Sequence, residues 1–581
     1  MKKVLSYFIA FFFVIASLGC YGHPSGENYD REGMRSYALE VARAFQEMYA
    51  PGEWKAKNFG WSLVEERDKL LTKIDNGLTV PEFHQALSQF FASTRDYHVS
   101  VYFAGTGYSY LPFTLAYADG AYYISSIDRL RLPVDRFPFW EGNQITAFND
   151  EPIADIVARL KAGKPSNREL TDYGLLALSV TNRRSALADP LERGPVTVTG
   201  FDSQGNTVAS QTVWIYGKEE MEYPTVVAPV IKERKATAQE LIQELKQKLN
   251  RRYLLPQFAK MQSMESHSQT AAVIGDYRGT LDILGTKIIW QSEPDSEFFS
   301  YIYQNEHRQN IGVLRIPSFM AYGRHSNFDA AVADFANAIE AMNSYADLLI
   351  IDQMNNPGGS LFYLYALASY LTNKPLVTPR EKMALNASMI NDAHQSIRMI
   401  KQLELAGGIG DGASFSIDGY IADNQFIYFM KDYFQFIVDQ WNSGKTLTDP
   451  YFVYGVDHIA PRVHQAFTKP ILLLTNRFDF SCGDFFPAIM QDNQRVVIMG
   501  ENTAGAGGYV LGSASTNRLG VEGFSFTGSI GIRPSGLPIE NLGVTPDIPY
   551  IFGRQDMESG YRFANAVERQ VQLMLLNTSR S

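Results

Sequence analysis

The sequence predicts an α/β protein with a helical N-terminal unit and a β-rich insert, and three observations carry that reading. Strand and helix patterns alternate through about the last 280 of the 581 residues, as in a sheet covered by helices. Between Leu111 and about Tyr216 the text turns to short runs of alternating apolar and polar residues. Ahead of both, apolar side chains recur at helical spacing. A composition of 45% hydrophobic and 20% charged residues belongs to a folded chain. The net charge of −10 leaves no basic surplus to neutralise phosphates, so nucleic acid is not an expected ligand. Cys20 and Cys482 are too few for a disulfide framework or a four-thiolate zinc site.

At the N-terminus, Lys2 and Lys3 precede an apolar run from Val4 to Leu18 that ends in Gly19. Residues 1–20 therefore read as an export signal. The run falls short of the roughly 20 residues that span a bilayer, so cleavage is expected rather than permanent anchoring. Ser17-Leu18-Gly19-Cys20 loosely resembles a lipoprotein signal that would lipidate Cys20, the one route to membrane attachment, with Ser17 standing where Leu is usual. The expected location is outside the cytoplasm: periplasm, outer membrane as a lipoprotein, or secreted.

Residues 28–105 read as the helical unit. Met34, Tyr37, Ala38, Val41, Phe45 and Met48 lie on one helical stripe that stops at Pro51-Gly52. Thr79 and Glu82 are spaced as a capping box around Pro81, for a helix with Phe83, Leu87, Phe90 and Phe91 on one face and its end near Ala92. Val99 to Phe103 then alternates as a strand, with His98 at its mouth. Residues 110–220 form the β-rich unit, with a hairpin turn at Asp119-Gly120. Its segment Glu141 to Asn149, followed by Pro152-Ile153, resembles the strand and turn of PDZ domains, which bind peptide ends by strand addition. A generic hairpin with Asn-Asp turn chemistry accounts for the same residues equally well.

Residues 221–300 read as a charged linker. Leu241, Leu245 and Leu249 stripe a helix between Ile231 and Leu255 whose plain reading is a solvated amphipathic helix, and Met261 to Thr270 is polar and turn-rich. Residues 301–581 form the core: strands at Ile311–Ile316, Leu348–Asp352, Pro470–Thr475 and Arg495–Gly500, with helices near Phe328–Met342, Leu361–Leu371 and Gly483–Gln491. A stretch rich in Phe and Tyr, from Pro379 to Asp457, interrupts the alternation.

No metal-ligand or phosphate-loop motif appears and the nine histidines are scattered, so no cofactor is indicated. Two loops carry chemistry. Leu473 to Phe486 spells a buried strand, a turn and a helix beginning just after Ser481, which places a serine against helix N-terminal amides. The amide of Cys482 would there face an oxyanion formed by attack of Ser481. A serine that merely caps the helix is the ordinary alternative. Leu349 to Gly359 ends a second apolar strand in Gly358 and Gly359, which let a backbone amide approach a ligand closely. Cys482 itself reads as a small buried residue and not as a nucleophile.

Together with Met499–Gly505 and Ile539–Asp547, these loops resemble, in order and spacing, the catalytic region of the tricorn and C-terminal-processing serine proteases. The resemblance implies a crotonase-like (ClpP/crotonase) α/β core. In the processing branch a lysine twenty-five positions after the serine assists it, and here that position holds Ala506. The tricorn and chlamydial protease-like activity factor branches use serine, histidine and glutamate instead, and the chlamydial branch is the closer likeness. Its aspartate-tyrosine-histidine context is matched by Asp96-Tyr97-His98, and its late glutamate by Glu540. The implied protein is an exported serine endopeptidase acting on proteins or peptides. Ser481 would be the nucleophile, His98 the base and acid, and Glu540 the orienting carboxylate. The amides of Cys482 and of Gly358 or Gly359 would form the oxyanion hole. A segment of the linker would block the site until cut, as in a zymogen, and homodimerisation would accompany activation. The alternative is a catalytically silent peptide-binding scaffold on a decayed protease core. Loss of the lysine at position 506 fits such decay; retention of His98 with Glu540 speaks against it.

Overall fold

Four helices open the described chain: α1 (Gly26–Met48), α2 (Gly52–Phe59), α3 (Leu63–Asp75) and α4 (Val80–Ala92). The structure, a computed structural model, describes residues 26–218, 238–250, 284–285, 287–321, 327–410, 412–515 and 517–578. The export signal with Cys20 and most of the proposed inhibitory linker lie outside these residues. α1 buries Met34, Tyr37, Val41 and Phe45 against Phe83, Leu87, Phe90 and Phe91 of α4. The capping box forms as expected, Thr79 and Glu82 each accepting the other's backbone N–H. α2 and α3 escape the sequence pattern because α2 has only 8 residues and α3 buries just Leu70 and Ile74, too few for a stripe.

β1 (Ser100–Phe103) leaves this unit and pairs antiparallel with a strand near the other end of the chain, Ser100 opposite Ser525. Val99, Val101 and Phe103 pack in the same apolar cluster as Phe524, Phe526 and the helices. That cluster seats residues 26–103 on the C-terminal part of the molecule. The β-rich unit follows: β2 (Gly107–Tyr110), β3 (Phe113–Ala118), β4 (Ala121–Ile127), β5 (Gln144–Phe148), then α5 (Ile153–Lys161) and α6 (Glu169–Thr181), then β6 (Gly194–Phe201) and β7 (Thr207–Lys218). The expected turn closes β3 onto β4, with Asp119 and Gly120 both at positive φ. α6 packs on β3 and, from its other side, reaches Arg477 and Phe478 of the core.

α7 (Ala238–Asn250) carries the leucine stripe read as solvated, and the structure corrects that reading. Leu241 and Leu245 are buried in the main core cluster, because an apolar core surface is there to cover them. Lys246 of the same helix lies over the ring of Phe415. The core sheet has seven strands in the order β8 (Lys287–Gln291), β9 (Ser300–Gln304), β10 (Asn310–Arg315), β11 (Leu348–Asp352), β12 (Ile471–Thr475), β13 (Val497–Gly500), with Ile548–Pro549 at the far edge. It therefore begins at Lys287, inside the stretch read as linker. The first three strands are antiparallel and the rest parallel. β11 and β12 are buried along their whole length, as two-sided burial of parallel strands requires. The Phe- and Tyr-rich stretch forms two long helices, Ala387–Leu405 and Asn424–Asn442, whose apolar faces join the main core.

Candidate active site

β12 emerges between β11 and β13, and its loop Asn476–Phe480 is tied to the loop after β11 by one buried carboxylate. Asp479 accepts the N–H of Asn356 (3.0 Å), the N–H of Asn476 (2.9 Å) and the side-chain amide of Gln353 (3.1 Å). Ser481 follows at φ 56° and ψ −118°, a conformation that non-glycine residues adopt only under constraint, and the helix Cys482–Asp492 starts immediately. The capping alternative fails here. The Ser481 side chain makes no cap hydrogen bond, and the N–H groups of Asp484 and Phe485 bond to the Ser481 carbonyl. The Asp484 carboxylate instead takes the N–H groups of Gly505 (2.8 Å) and Ala506 (2.9 Å), fixing the neighbouring loop.

Gly358 lies directly under the serine. A Cβ there would sit 2.6 Å from Ser481 Cβ and 2.8 Å from the Cys482 nitrogen. Its N–H donates to Asn356 Oδ1 (2.8 Å). Gly359 accepts from the Cys482 thiol (3.1 Å) through its carbonyl. Among the described residues, the N–H groups of Gly359 and Cys482 have no protein acceptor. Burial pushes the Cys482 thiol far up, so it stays protonated.

His98 is fully buried, and only its backbone is fixed. Its N–H donates to Asp96 Oδ1 (2.9 Å) and its carbonyl accepts from Ser525 Oγ (2.8 Å), while neither ring nitrogen has a partner. Burial pushes its pKa down to about 4, Asp96 opposing and Lys55 reinforcing, so the ring is neutral at physiological pH. The residues just before His98 and Ser481 touch: the Tyr97 and Phe480 rings meet edge to face at 5.5 Å, in a cluster with Ala504 and Ala506.

Glu540 is also fully buried. Its Oε1 accepts from Lys55 Nζ (2.5 Å) and its Oε2 from the Gly507 N–H (3.2 Å). The structure thus brings Glu540 to a buried ammonium rather than into a hydrogen bond with His98. Serine, histidine and glutamate are not bonded to one another in this state. Sequence reasoning missed Lys55, on a two-turn helix without a stripe, where a lysine reads as solvated. It also missed Asp96 as a charged neighbour of the imidazole, although its place in Asp96-Tyr97-His98 marked it. A small cleft opens beside Ser481, lined by Leu361, Val453, Tyr454, Phe485 and Val510, with Glu381 at its wall. Among the described residues no group of His, Cys, Asp and Glu could hold a metal ion.

Comparison with known proteins places this geometry. Residues 310–550 match the family model described as Peptidase family S41, and residues 107–221 match a PDZ domain model. Over 550 residues the chain is 30% identical to a protein of Chlamydia trachomatis serovar D, with 89% of this chain and 88% of that one covered. The chain belongs to peptidase family S41. A protein of Chlamydia muridarum is 29% identical over 562 residues, covering 92% of this chain and 91% of its own. Among solved structures, mature CPAF has a TM-score of 0.76 at 28% identity, covering 94% of this chain and 98% of that one. Mature CPAF complexed with lactacystin has a TM-score of 0.76 at 27% identity, covering 94% and 99%. This S41 protein is accordingly a serine peptidase with a CPAF-like α/β fold, and its β-rich unit is a PDZ domain rather than a generic hairpin.

Proposed function

We propose that this S41 peptidase is an endopeptidase that cleaves protein or peptide substrates through an acyl-enzyme on Ser481, with His98 as base and acid and Glu540 as the supporting carboxylate. The observation that carries the reading is the uncommitted Ser481 hydroxyl, held on a constrained turn at a helix N-terminus beside two backbone N–H groups without partners. Neutral His98 takes the hydroxyl proton as Ser481 attacks the carbonyl carbon. The oxyanion faces the amides of Cys482 and Gly359; Gly358 is left out because Asn356 already accepts from its N–H. His98 then protonates the departing amine, and water hydrolyses the ester by the same steps reversed. Catalytic hydrogen bonds are often loose before substrate binds, so the ring of His98 gains Ser481 on one side and Glu540 on the other in the working complex.

The apolar cleft beside Ser481 suits an apolar side chain next to the scissile bond. Export rests on the Lys2-Lys3 and Val4–Leu18 pattern. Control by a linker segment and dimerisation rest on the family likeness, and an active enzyme with an intact linker would defeat the first. Purified wild type and Ser481→Ala, incubated with an unfolded protein and with a fluorophosphonate probe, test the mechanism. Wild type cleaves and labels; Ser481→Ala loses labelling and slows by at least about 10³-fold, as for removal of a triad member. Cleavage that survives the substitution, or a wild type that never labels, overturns the proposal, the latter in favour of a silent scaffold.

A further inference from the structure

We infer that Lys55 is a positioning residue of this active site, holding the Glu540 carboxyl in place and favouring its ionised form; the inference rests on the triad reading above and deepens it. Lysine is almost never fully buried unless paired, and Lys55 is 0% exposed on a helix of only 8 residues. All three of its protons are used: Glu540 Oε1 at 2.5 Å, Asn541 Oδ1 at 2.8 Å and the Arg95 carbonyl at 2.9 Å. These acceptors sit on the two loops that deliver the carboxylate and the histidine. Asn541 closes the ring by donating to the same Arg95 carbonyl (2.8 Å) and accepting from Trp54 Nε1 (3.0 Å). One turn of α2 therefore staples residues 95 and 540, which nothing in the chain's order would bring together.

Charge explains why a cation belongs there. The ionisable groups facing one another are Asp96, Glu540, Lys55, His98 and Tyr49, whose phenol donates to Asp96 and is kept neutral by burial. With both carboxylates ionised and the imidazole neutral, the cluster carries one net negative charge, and it becomes neutral when the imidazolium forms. Without the ammonium, two carboxylates would share a dry pocket, and one of them would take up a proton. Burial and Asp96 push the Glu540 pKa up to about 8 even though Lys55 and the Gly507 amide pull it down, so loss of Lys55 would drive it higher still. A protonated Glu540 cannot support the imidazolium.

Turnover of a peptide substrate by the full chain, with kcat and KM followed from about pH 5 to about pH 10, tests this. The set is Lys55→Met, Lys55→Arg, Glu540→Gln and the uncharged double variant Lys55→Met/Glu540→Gln, with Ser481→Ala as reference. Lys55→Met is expected to lower kcat about 10- to 100-fold with little change in KM. It should also move the ascending limb of the pH profile up by about one pH unit or more, since loss of the ammonium raises both Glu540 and His98. Lys55→Arg should restore most of the rate, and the double variant should be no slower than Glu540→Gln alone. A folded Lys55→Met with wild-type kcat and pH profile overturns the inference, as does a double variant slower than Glu540→Gln. If Lys55→Met does not fold, Lys55→Arg and the double variant still decide the matter. Retained activity in Ser481→Ala would instead sink the triad reading itself.

Discussion

Replacing Gly358 by alanine adds a single methyl group at the tightest point of the site, and the structure sets its consequence. The new Cβ would lie 2.6 Å from Ser481 Cβ, 2.7 Å from the Phe480 carbonyl oxygen and 2.8 Å from the Cys482 nitrogen. Carbon atoms in contact prefer about 3.5–4.0 Å, so a gap of about 1 Å has to open. Gly358 also sits at φ 93°, where a side chain adds about 1–3 kcal/mol of strain, on top of about 1–3 kcal/mol for overpacking. The expected loss of stability is therefore about 2–6 kcal/mol. Every atom in the way belongs to Ser481, its predecessor Phe480 or the Cys482 amide, so relief of the clash displaces the proposed nucleophile and oxyanion donor. Misplacement by about 1 Å costs about 10²-fold in rate, and loss of one oxyanion donor about 10²- to 10³-fold. Peptide turnover and thermal melts of Gly358→Ala, beside Gly536→Ala, make the assay. Gly536 has φ 84° with nothing within 4 Å of its Cβ position, so its alanine variant should lose only about 1 kcal/mol and no activity. A Gly358→Ala enzyme with wild-type kcat would refute the reasoning.

Two further outcomes follow from the buried polar groups. Tyr97→Phe removes a hydrogen bond to Asp172 (2.6 Å) and the acceptor of the Arg168 N–H (3.1 Å), so a loss of about 1.5–3 kcal/mol is expected in denaturant unfolding, together with slower turnover because Tyr97 packs on Phe480. An unchanged midpoint would contradict it. His98 has its pKa pushed down to about 4 from an ordinary 6.5, so the unfolded chain binds its proton first. Stability from this group is complete above about pH 6.5 and is withdrawn as pH falls to about 4, by up to about 3 kcal/mol. Wild type should therefore lose stability relative to His98→Asn across that window, and parallel unfolding curves at both pH values would show that the ring is not buried as described.

The same PDZ helix touches the segments that lead into His98 and Ser481. α6 holds Tyr97 through Asp172, Thr171 donates to the Arg477 carbonyl (3.1 Å), and Gly174 admits the ring of Phe478, which lies 2.6 Å from where its Cβ would be. The PDZ domain is thus part of the scaffold around Ser481 and His98, and its helix bridges the segments that carry them.

Several features were legible because their signals are local. Leu348–Asp352 and Ile471–Thr475 announce fully buried strands by unbroken apolar runs, Thr79 and Glu82 a capped helix by their spacing, and Asp119-Gly120 a tight turn by its chemistry. Family likeness grouped Ser481, His98 and Glu540, and no hydrogen bond joins the three in the structure. Three things were decided only by tertiary structure, since each depends on groups far apart in sequence. Lys55 is buried because a carboxylate 485 residues away receives it. Gly359, not Gly358, presents a free amide because the Asn356 side chain occupies the other. Leu241 and Leu245 of α7 are docked rather than wet because a core surface lies beneath them. Local pattern encodes backbone geometry, whereas burial and charge pairing are properties of the assembled fold, set by whichever partners the packing brings within a few ångströms.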